Sequence, residues 1–248
     1  MLKRLFDMLV AFVGLLLASP VLVPLMFLVW WEDKRSPFYI APRIGKGGVP
    51  FKMVKLRSMV INADRMGSSS TSNSDLRITP AGHFIRKYKL DELTQLWNVL
   101  WGGMSLVGPR PQVQAGVDLY TEQERQLLLV RPGITDFSSI VFSDEGDILK
   151  DQPDPDMAYN QLIRPGKSML GLFYVEHRSF LVDIKLCFLT AVAIASRARA
   201  LAGVQHILQE LGAPRELLRI ASRAELLTPM PPPGGKKVVT SRDGNPFA

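Results

Sequence analysis

The chain has 248 residues, enough to bury a sizeable core, and its hydrophobic fraction of 47% is ordinary for a globular protein. Its formal net charge of +7 points to an anionic partner: nucleic acid, a phosphorylated ligand or an acidic membrane surface. The lone cysteine, Cys187, excludes an intrachain disulfide and a cysteine-based zinc cluster.

Lys3 and Arg4 precede an uncharged run, MLVAFVGLLLASPVLVPLMFLVWW, from Met8 to Trp31. As a straight helix it would reach about 36 Å, more than the ~30 Å hydrocarbon core of a bilayer. It is too long for a signal-peptide core, and no clean cleavage site follows it. Ser19-Pro20 sits in its middle, with Pro24 one turn later. Proline removes a backbone hydrogen bond and crowds the preceding turn, and the Ser19 hydroxyl can serve the freed carbonyl. Two arrangements stay open: a kinked spanning helix, or a bent element that leaves the membrane on the side it entered. Basic residues mark the cytoplasmic side. They stand at both ends of the run: Lys3 and Arg4 before it, and seven between Lys34 and Arg57 after it, with no acid among residues 34–60.

Next, Phe38-Tyr39-Ile40 and Phe51 to Met59 read as a hairpin, separated by a Gly/Pro-rich turn. Lys55 and Arg57 share one strand face, open to a phosphate or to solvent. GKGGVP lacks the Gly-Lys-Ser/Thr ending of a phosphate loop and reads as a turn. The Ser-rich stretch Met66 to Leu76 reads as a mobile surface loop. Thr79-Pro80 opens a helix that Gly102-Gly103 ends. Asp91 and Glu92 fall inside it about 100° apart, so they point in different directions. Arg110 stands on a stiff Pro109-Arg110-Pro111 turn, where a guanidinium loses little entropy on gripping a phosphate.

Tyr120 to Val130 reads as a polar-faced helix, and residues 131–149 as turn, strand and acidic loop. Asp144, Glu145 and Asp147 in that loop suit solvent better than a metal. Phe173 to Ala195 reads as one helix, which Asp183 and Lys185 keep from being a second span. Two amphipathic helices, broken at Gly212–Pro214, occupy residues 196–228 and suit a membrane surface, a partner or a homodimer. Residues 229–248 read as a disordered tail. His83, His177 and His206 lack metal-ligand spacing.

Several motifs, in order, resemble the bacterial sugar transferase family, the monotopic phosphoglycosyl transferases: KRLFD before a Ser-Pro-interrupted membrane segment, FKMVKLRSM, IRKYKLDELTQLWNVLWGGMSLVGPRP, RPGIT and YVEHRSFLVDIK. The resemblance runs from about Lys3 to Ala195. It implies an α+β fold: a small mixed globular domain (34–195) on the cytoplasmic face of the bacterial inner membrane, with a re-entrant helix (1–33) broken at Ser19-Pro20 and interfacial amphipathic helices. It further implies transfer of a sugar 1-phosphate from a UDP-sugar to undecaprenyl phosphate, with release of UMP, as the first membrane step of surface glycan assembly. Asp91 takes the place of the family's nucleophile and Glu92 that of its dyad partner. Like charge would oppose such an attack, so a magnesium ion on Asp91 and Glu92 is expected to bridge carboxylate and phosphate. Arg86, Lys55, Arg57 and Arg110 are candidate phosphate ligands, and Pro109, Arg110 and Pro111 the candidate nucleotide contact. Lys89, Thr94, Gly103 and Asp136 depart from the residues common in the family. The rival reading is a non-catalytic adaptor that binds anionic lipid and a partner protein. A nucleic-acid binder is disfavoured, because no aromatic platforms interleave the basic residues.

Overall fold

The apolar run forms one helix. In the computed structural model, which describes residues 2–63, 66, 75–150 and 152–240, α1 runs from Leu2 to Asp33 with Pro20 and Pro24 inside it. The break expected at Ser19-Pro20 is therefore corrected to a continuous helix. Pro20 has no N–H for the carbonyl of Leu16, and the Ser19 hydroxyl donates to that carbonyl at 2.7 Å instead. With the freed acceptor satisfied locally, the helical backbone continues through the proline.

α1 lies along the rest of the chain. Asp7, Ala11, Leu22, Leu25 and Val29 are buried, with Gly14, Leu15, Ala18 and Ser19 half-buried between them, a stripe at helical spacing. The opposite face exposes Leu9, Phe12, Leu16, Val23 and Phe27. Among the described residues this is the one helix long and apolar enough to cross a membrane.

A hairpin follows, β1 (Phe38–Ile44) against β2 (Pro50–Leu56), antiparallel with Tyr39 opposite Lys55. Most of the Ser-rich stretch lies outside the described residues. α2 (Pro80–Lys87) is N-capped by Thr79, whose hydroxyl accepts from Gly82 N. It does not continue to Gly102 as the sequence suggested. Lys89 adopts a left-handed conformation (φ 53°), a 3-10 turn covers Leu90–Glu92, and α3 (Gln95–Trp101) begins afresh. A left-handed residue reverses the local course of the chain, so Asp91 and Glu92 sit on a corner between helices.

β3 (Ser105–Val107) and β4 (Gly133–Thr135) form a short parallel pair. At its end Gly108 and Gly133 touch backbone to backbone. A Cβ on Gly108 would lie 2.3 Å from the Arg131 carbonyl, and one on Gly133 2.1 Å from Gly108 N. Between the strands come α4 (Gln114–Asp118) and a 3-10 turn, Glu124–Leu129, in place of the expected helix. After β4, α5 (Phe137–Val141) and α6 (Glu145–Ile148) replace the expected acidic loop. Asp136 drives this change: its carboxylate accepts from Ser139 N at 2.7 Å and caps α5.

α7 (Pro155–Ala158), a π-helical turn (Tyr159–Ile163) and α8 (Arg164–His177) lead to α9 (Phe180–Ala195). The single helix expected from Phe173 is thus two, because the Ser179 hydroxyl accepts from Val182 N and starts α9 anew. α10 (Arg197–Glu210) and α11 (Arg215–Ser222) part near Gly212, as read. Their apolar faces do not wait for a membrane or a partner: Ala200, Val204, Ile207, Leu208, Leu217 and Ile220 join the main core with Phe137, Leu170 and Leu186.

Both ends of α1 are docked on this body. Lys3 Nζ pairs with the buried Asp183 at 2.6 Å, and Arg4 donates to the Val99 and Leu100 carbonyls at the end of α3. Asp7 accepts from Ser105 Oγ at 2.8 Å. At the far end, Arg57 grips both oxygens of Asp33, at 2.6 and 2.7 Å. Asp7→Ala would orphan the buried Ser105 hydroxyl and Leu106 N–H. It is expected to cost about 2 kcal/mol, seen as a lower midpoint for thermal unfolding in detergent, with digestion starting in the detached N-terminal part of α1.

Candidate active site

Three separate segments meet at the Asp91–Glu92 corner. β2 brings Lys55, whose Nζ lies 3.7 Å from Asp91 and 3.8 Å from Glu92. The loop after β3 brings Arg110, which forks onto both oxygens of Glu92. α2 brings the half-buried Arg86. One ammonium thus serves both acids.

Local chemistry fixes this geometry. The backbone of β2 that faces α3 is matched by side chains instead of by a strand. Asn98 accepts from Val54 N at 2.9 Å and donates to the Lys52 carbonyl at 2.6 Å. Thr94 donates to the Val54 carbonyl at 3.1 Å and shares its hydroxyl hydrogen with the Asp91 carbonyl at 3.2 Å. Thr94, a departure from the family pattern, thus ties Lys55's strand to the Asp91 turn. The Pro109–Pro111 turn is held through the glycine crossing, where Gly133 N donates to the Pro109 carbonyl at 3.0 Å.

The two carboxylates are electrostatically unlike. Asp91 is 8% exposed, and burial pushes its pKa up, with Lys55 opposing. Burial pushes Glu92 up as well, but the Arg110 guanidinium and Lys55 outweigh it and hold Glu92 below the usual carboxylate range. The partner Arg110 is held firmly protonated by Glu92. Burial lowers the pKa of Lys55, against the pull of Glu92 and Asp91. One acid is therefore locked as an anion inside an ion pair, and the other keeps oxygens free beside one ammonium.

Beside this corner opens a cavity of about 810 Å³. Lys55, Arg86 and Arg110, expected to meet phosphate, line it together with Pro109 and Pro111, expected with Arg110 to meet the nucleotide. Arg57 stands apart from the other candidates: it is 7% exposed and bound to Asp33 and the Ser36 carbonyl, so it anchors α1 and does not reach the cavity. Ser19 and Pro20 also lie away from the site, within α1.

Other lining groups were not singled out for the site by sequence reasoning: Arg43, Tyr159, Asn160 and Arg164, the buried Asp136, and the Glu145–Lys167 ion pair. Only the departure at Asp136 and the acidic cluster holding Glu145, which the sequence assigned to solvent, carried a signal. The rest come from distant segments with no shared motif.

A family model for the bacterial sugar transferases matches residues 1–197, and the chain belongs to that family. It is similar to the exopolysaccharide production protein ExoY of Sinorhizobium fredii, 33% identical over 207 residues, covering 77% of this chain and 84% of that protein. It is also similar to the UDP-glucose:undecaprenyl-phosphate glucose-1-phosphate transferase of Escherichia coli K12, 37% identical over 199 residues, covering 77% of this chain and 39% of that protein. A third relative is the UDP-galactose-lipid carrier transferase of Erwinia amylovora, 40% identical over 149 residues, covering 54% of this chain and 31% of that protein. The chain thus spans well under half the length of the last two.

Arg110→Ala removes the cation that stabilises the Glu92 anion. The expected result is that Glu92 ionises at a higher pH than in the unaltered chain, read from its carboxyl carbon shift in an NMR titration. An unchanged titration would show that Lys55 alone suffices.

Proposed function

We propose that this member of the bacterial sugar transferases moves a sugar 1-phosphate from a UDP-sugar to undecaprenyl phosphate, releasing UMP, through a covalent intermediate on Asp91, at the start of surface glycan assembly. The observation that carries this reading is the placement of Asp91. It is a buried carboxylate with Lys55 as its ion-pair partner, beside a cavity lined by further cations.

In the first step an Asp91 oxygen attacks the phosphorus that bears the sugar. An Asp91 O–P bond forms, and the bond from that phosphorus to the bridging oxygen breaks. UMP leaves with that oxygen and its electron pair. Lys55 and Arg110 line the cavity where the diphosphate would lie and oppose its charge as Asp91 approaches. In the second step an oxygen of undecaprenyl phosphate attacks the same phosphorus, and the Asp91 O–P bond breaks to restore the carboxylate. The lipid phosphate is largely ionised near neutral pH, so neither step requires a general base. Glu92 then acts by position: it aims Arg110 and shares Lys55. Splitting the exchange into two displacements is the gain from the covalent route.

A magnesium ion fits this site in part. Asp91 has oxygens to offer, whereas both Glu92 oxygens are engaged by Arg110. Among the described residues no three carboxylate, histidine or cysteine side chains gather in metal-binding fashion. We therefore assign to Asp91 the part of holding the ion, as a hard oxygen donor of the kind magnesium prefers. When bound it would neutralise charge on the diphosphate.

For the membrane, we propose that α1 lies along the cytoplasmic leaflet with both of its ends on the cytoplasmic side. Its two ends are docked on one body and its exposed face is apolar, which suits immersion along its length. This would hold Asp91 near the headgroups, where the lipid phosphate lies. Tags at residue 2 and at the C-terminus are expected to be accessible from the cytoplasmic side alone; tags on opposite sides would establish a spanning helix.

The reaction itself is tested by UMP release across a panel of UDP-sugars with undecaprenyl phosphate and magnesium. Asp91→Asn is expected to lower transfer by at least about a thousandfold while leaving membrane association intact. Labelled phosphosugar should be trapped on the unaltered protein at Asp91. Label on another residue, or an active Asp91→Asn, would sink the assignment; a panel without any UMP release would favour the adaptor.

A further inference from the structure

The family match ends at residue 197, yet the chain goes on to contact Thr121 and Gln161, each next to a residue that lines the cavity. After α11, residues 230–239, read from the sequence as part of a disordered tail, are instead packed on the chain and link segments that end two of the cavity's walls; residues 241–248 lie outside the described residues. One wall carries Leu119 and Tyr120; the other carries Tyr159 and Asn160. The residue next to each pair is tied to the passing segment. Thr121 donates its hydroxyl to the Pro233 carbonyl. Gln161 accepts from Met230 N at 3.2 Å on its own carbonyl and donates its side-chain amide to the Val239 carbonyl at 2.7 Å. Val239 is buried.

The sequence of the segment suits this course. Pro231-Pro232-Pro233 presets an extended backbone and has no N–H, so a contact there must use a carbonyl, which is what Thr121 meets. Gly234 has φ 79°, and a Cβ on it would lie 3.2 Å from both Thr121 Oγ1 and Gln123 Cβ. Only a glycine lets the segment lie flat on the turn.

The wall beneath is stiff. Thr121 and Glu124 cap each other's backbone N–H, both at 3.1 Å. Glu124 is fully buried and accepts from Arg164 at 2.7 and 3.1 Å and from Ser168 at 2.7 Å. Arg164 also donates to the Leu119 carbonyl at 2.7 Å. A shift of Thr121 would therefore move Arg164 and Ser168, which line the cavity.

We propose that residues 230–239 form a strap that sets the separation of these two walls, making Thr121, Gln161 and Gly234 positioning residues for the UDP-sugar. The donor part of this rests on the transferase reading above.

The test uses the full chain in detergent, with Gly234→Val and Gln161→Ala. Hydrogen exchange is followed in residues 119–129 and 159–163, alongside UMP-release kinetics. Both variants are expected to exchange faster in both walls. They are also expected to raise KM for the UDP-sugar about tenfold with kcat nearly unchanged, the signature of lost uniform binding. A chain ending at Thr228, which retains α10 and α11, should do the same and decides the matter if the point variants lose exchange protection in α9 and so have not folded. Unchanged exchange in the two walls overturns the strap. Faster exchange with an unchanged KM overturns its part in donor binding. If the unaltered chain releases no UMP from any UDP-sugar, the transferase reading fails instead, and exchange alone judges the strap.

Discussion

Two carboxylates and two cations share one corner of low dielectric, and the architecture around them serves that balance. Adjacent buried acids repel, and an unpaired charge there is costly. Arg110 draws off the charge of Glu92, while Lys55 faces both acids. The result is an asymmetric pair: one acid committed to Arg110, the other facing Lys55 alone. The participants arrive on different segments, so the balance depends on how those segments are pinned. Asn98 and Thr94 pin the strand of Lys55 through its backbone, and the Gly108–Gly133 crossing pins the turn of Arg110. These contacts are short and directional, and none relies on a flexible side chain to carry the distance.

The same economy governs α1. A long apolar helix joined to a globule at one end alone would set no fixed depth for the site. Here the pairing of Lys3 with Asp183 and of Asp33 with Arg57 holds the helix at both ends, and the buried stripe holds it between them. The prolines do not end the helix as expected, and the Ser19 hydroxyl serves the Leu16 carbonyl that Pro20 leaves without an N–H. Basic residues read in the sequence as marks of the cytoplasmic side turn out also to be docking groups.

The hairpin, the strand after Arg131 and the division of the C-terminal helices were legible because turn residues bound each of them. The Asp91–Glu92–Arg110 grouping was legible through the ordered motifs, not through periodicity. The corner carrying the acids was not, since nothing local announces that Lys89 will adopt a left-handed conformation that Gly or Asn adopts more readily. α5 was missed because its start depends on the Asp136 carboxylate turning back onto Ser139, an interaction no pattern of apolar residues encodes. Arg57 was misplaced for a similar reason. Alternation put it on the face of Lys55, but Asp33 at the end of α1 captures it first. The cavity's remaining lining comes from segments far apart in sequence, and only the tertiary fold brings them together.

These two classes of residue suggest a division of labour within the proposed reaction. Lys55, Arg86 and Arg110, which in the proposed reaction would meet what every UDP-sugar shares, the diphosphate, lie within the stretch that matches the family. Relatives of this chain carry names that specify different sugars, galactose in one and glucose in another. A phosphate-reading corner cannot make that distinction. In the proposed reaction that choice would fall to other groups of the cavity, among them Asn160 and the Glu145–Lys167 pair. Asn160 belongs to the π-helical turn that the strap holds, while Glu145 directly follows Asp144, which pairs with Arg197 and Arg223. Arg223 and the strap both lie beyond residue 197. In the proposed reaction, residues beyond the family match would act on the cavity's outer walls and leave the charge balance at Asp91 to the matched stretch.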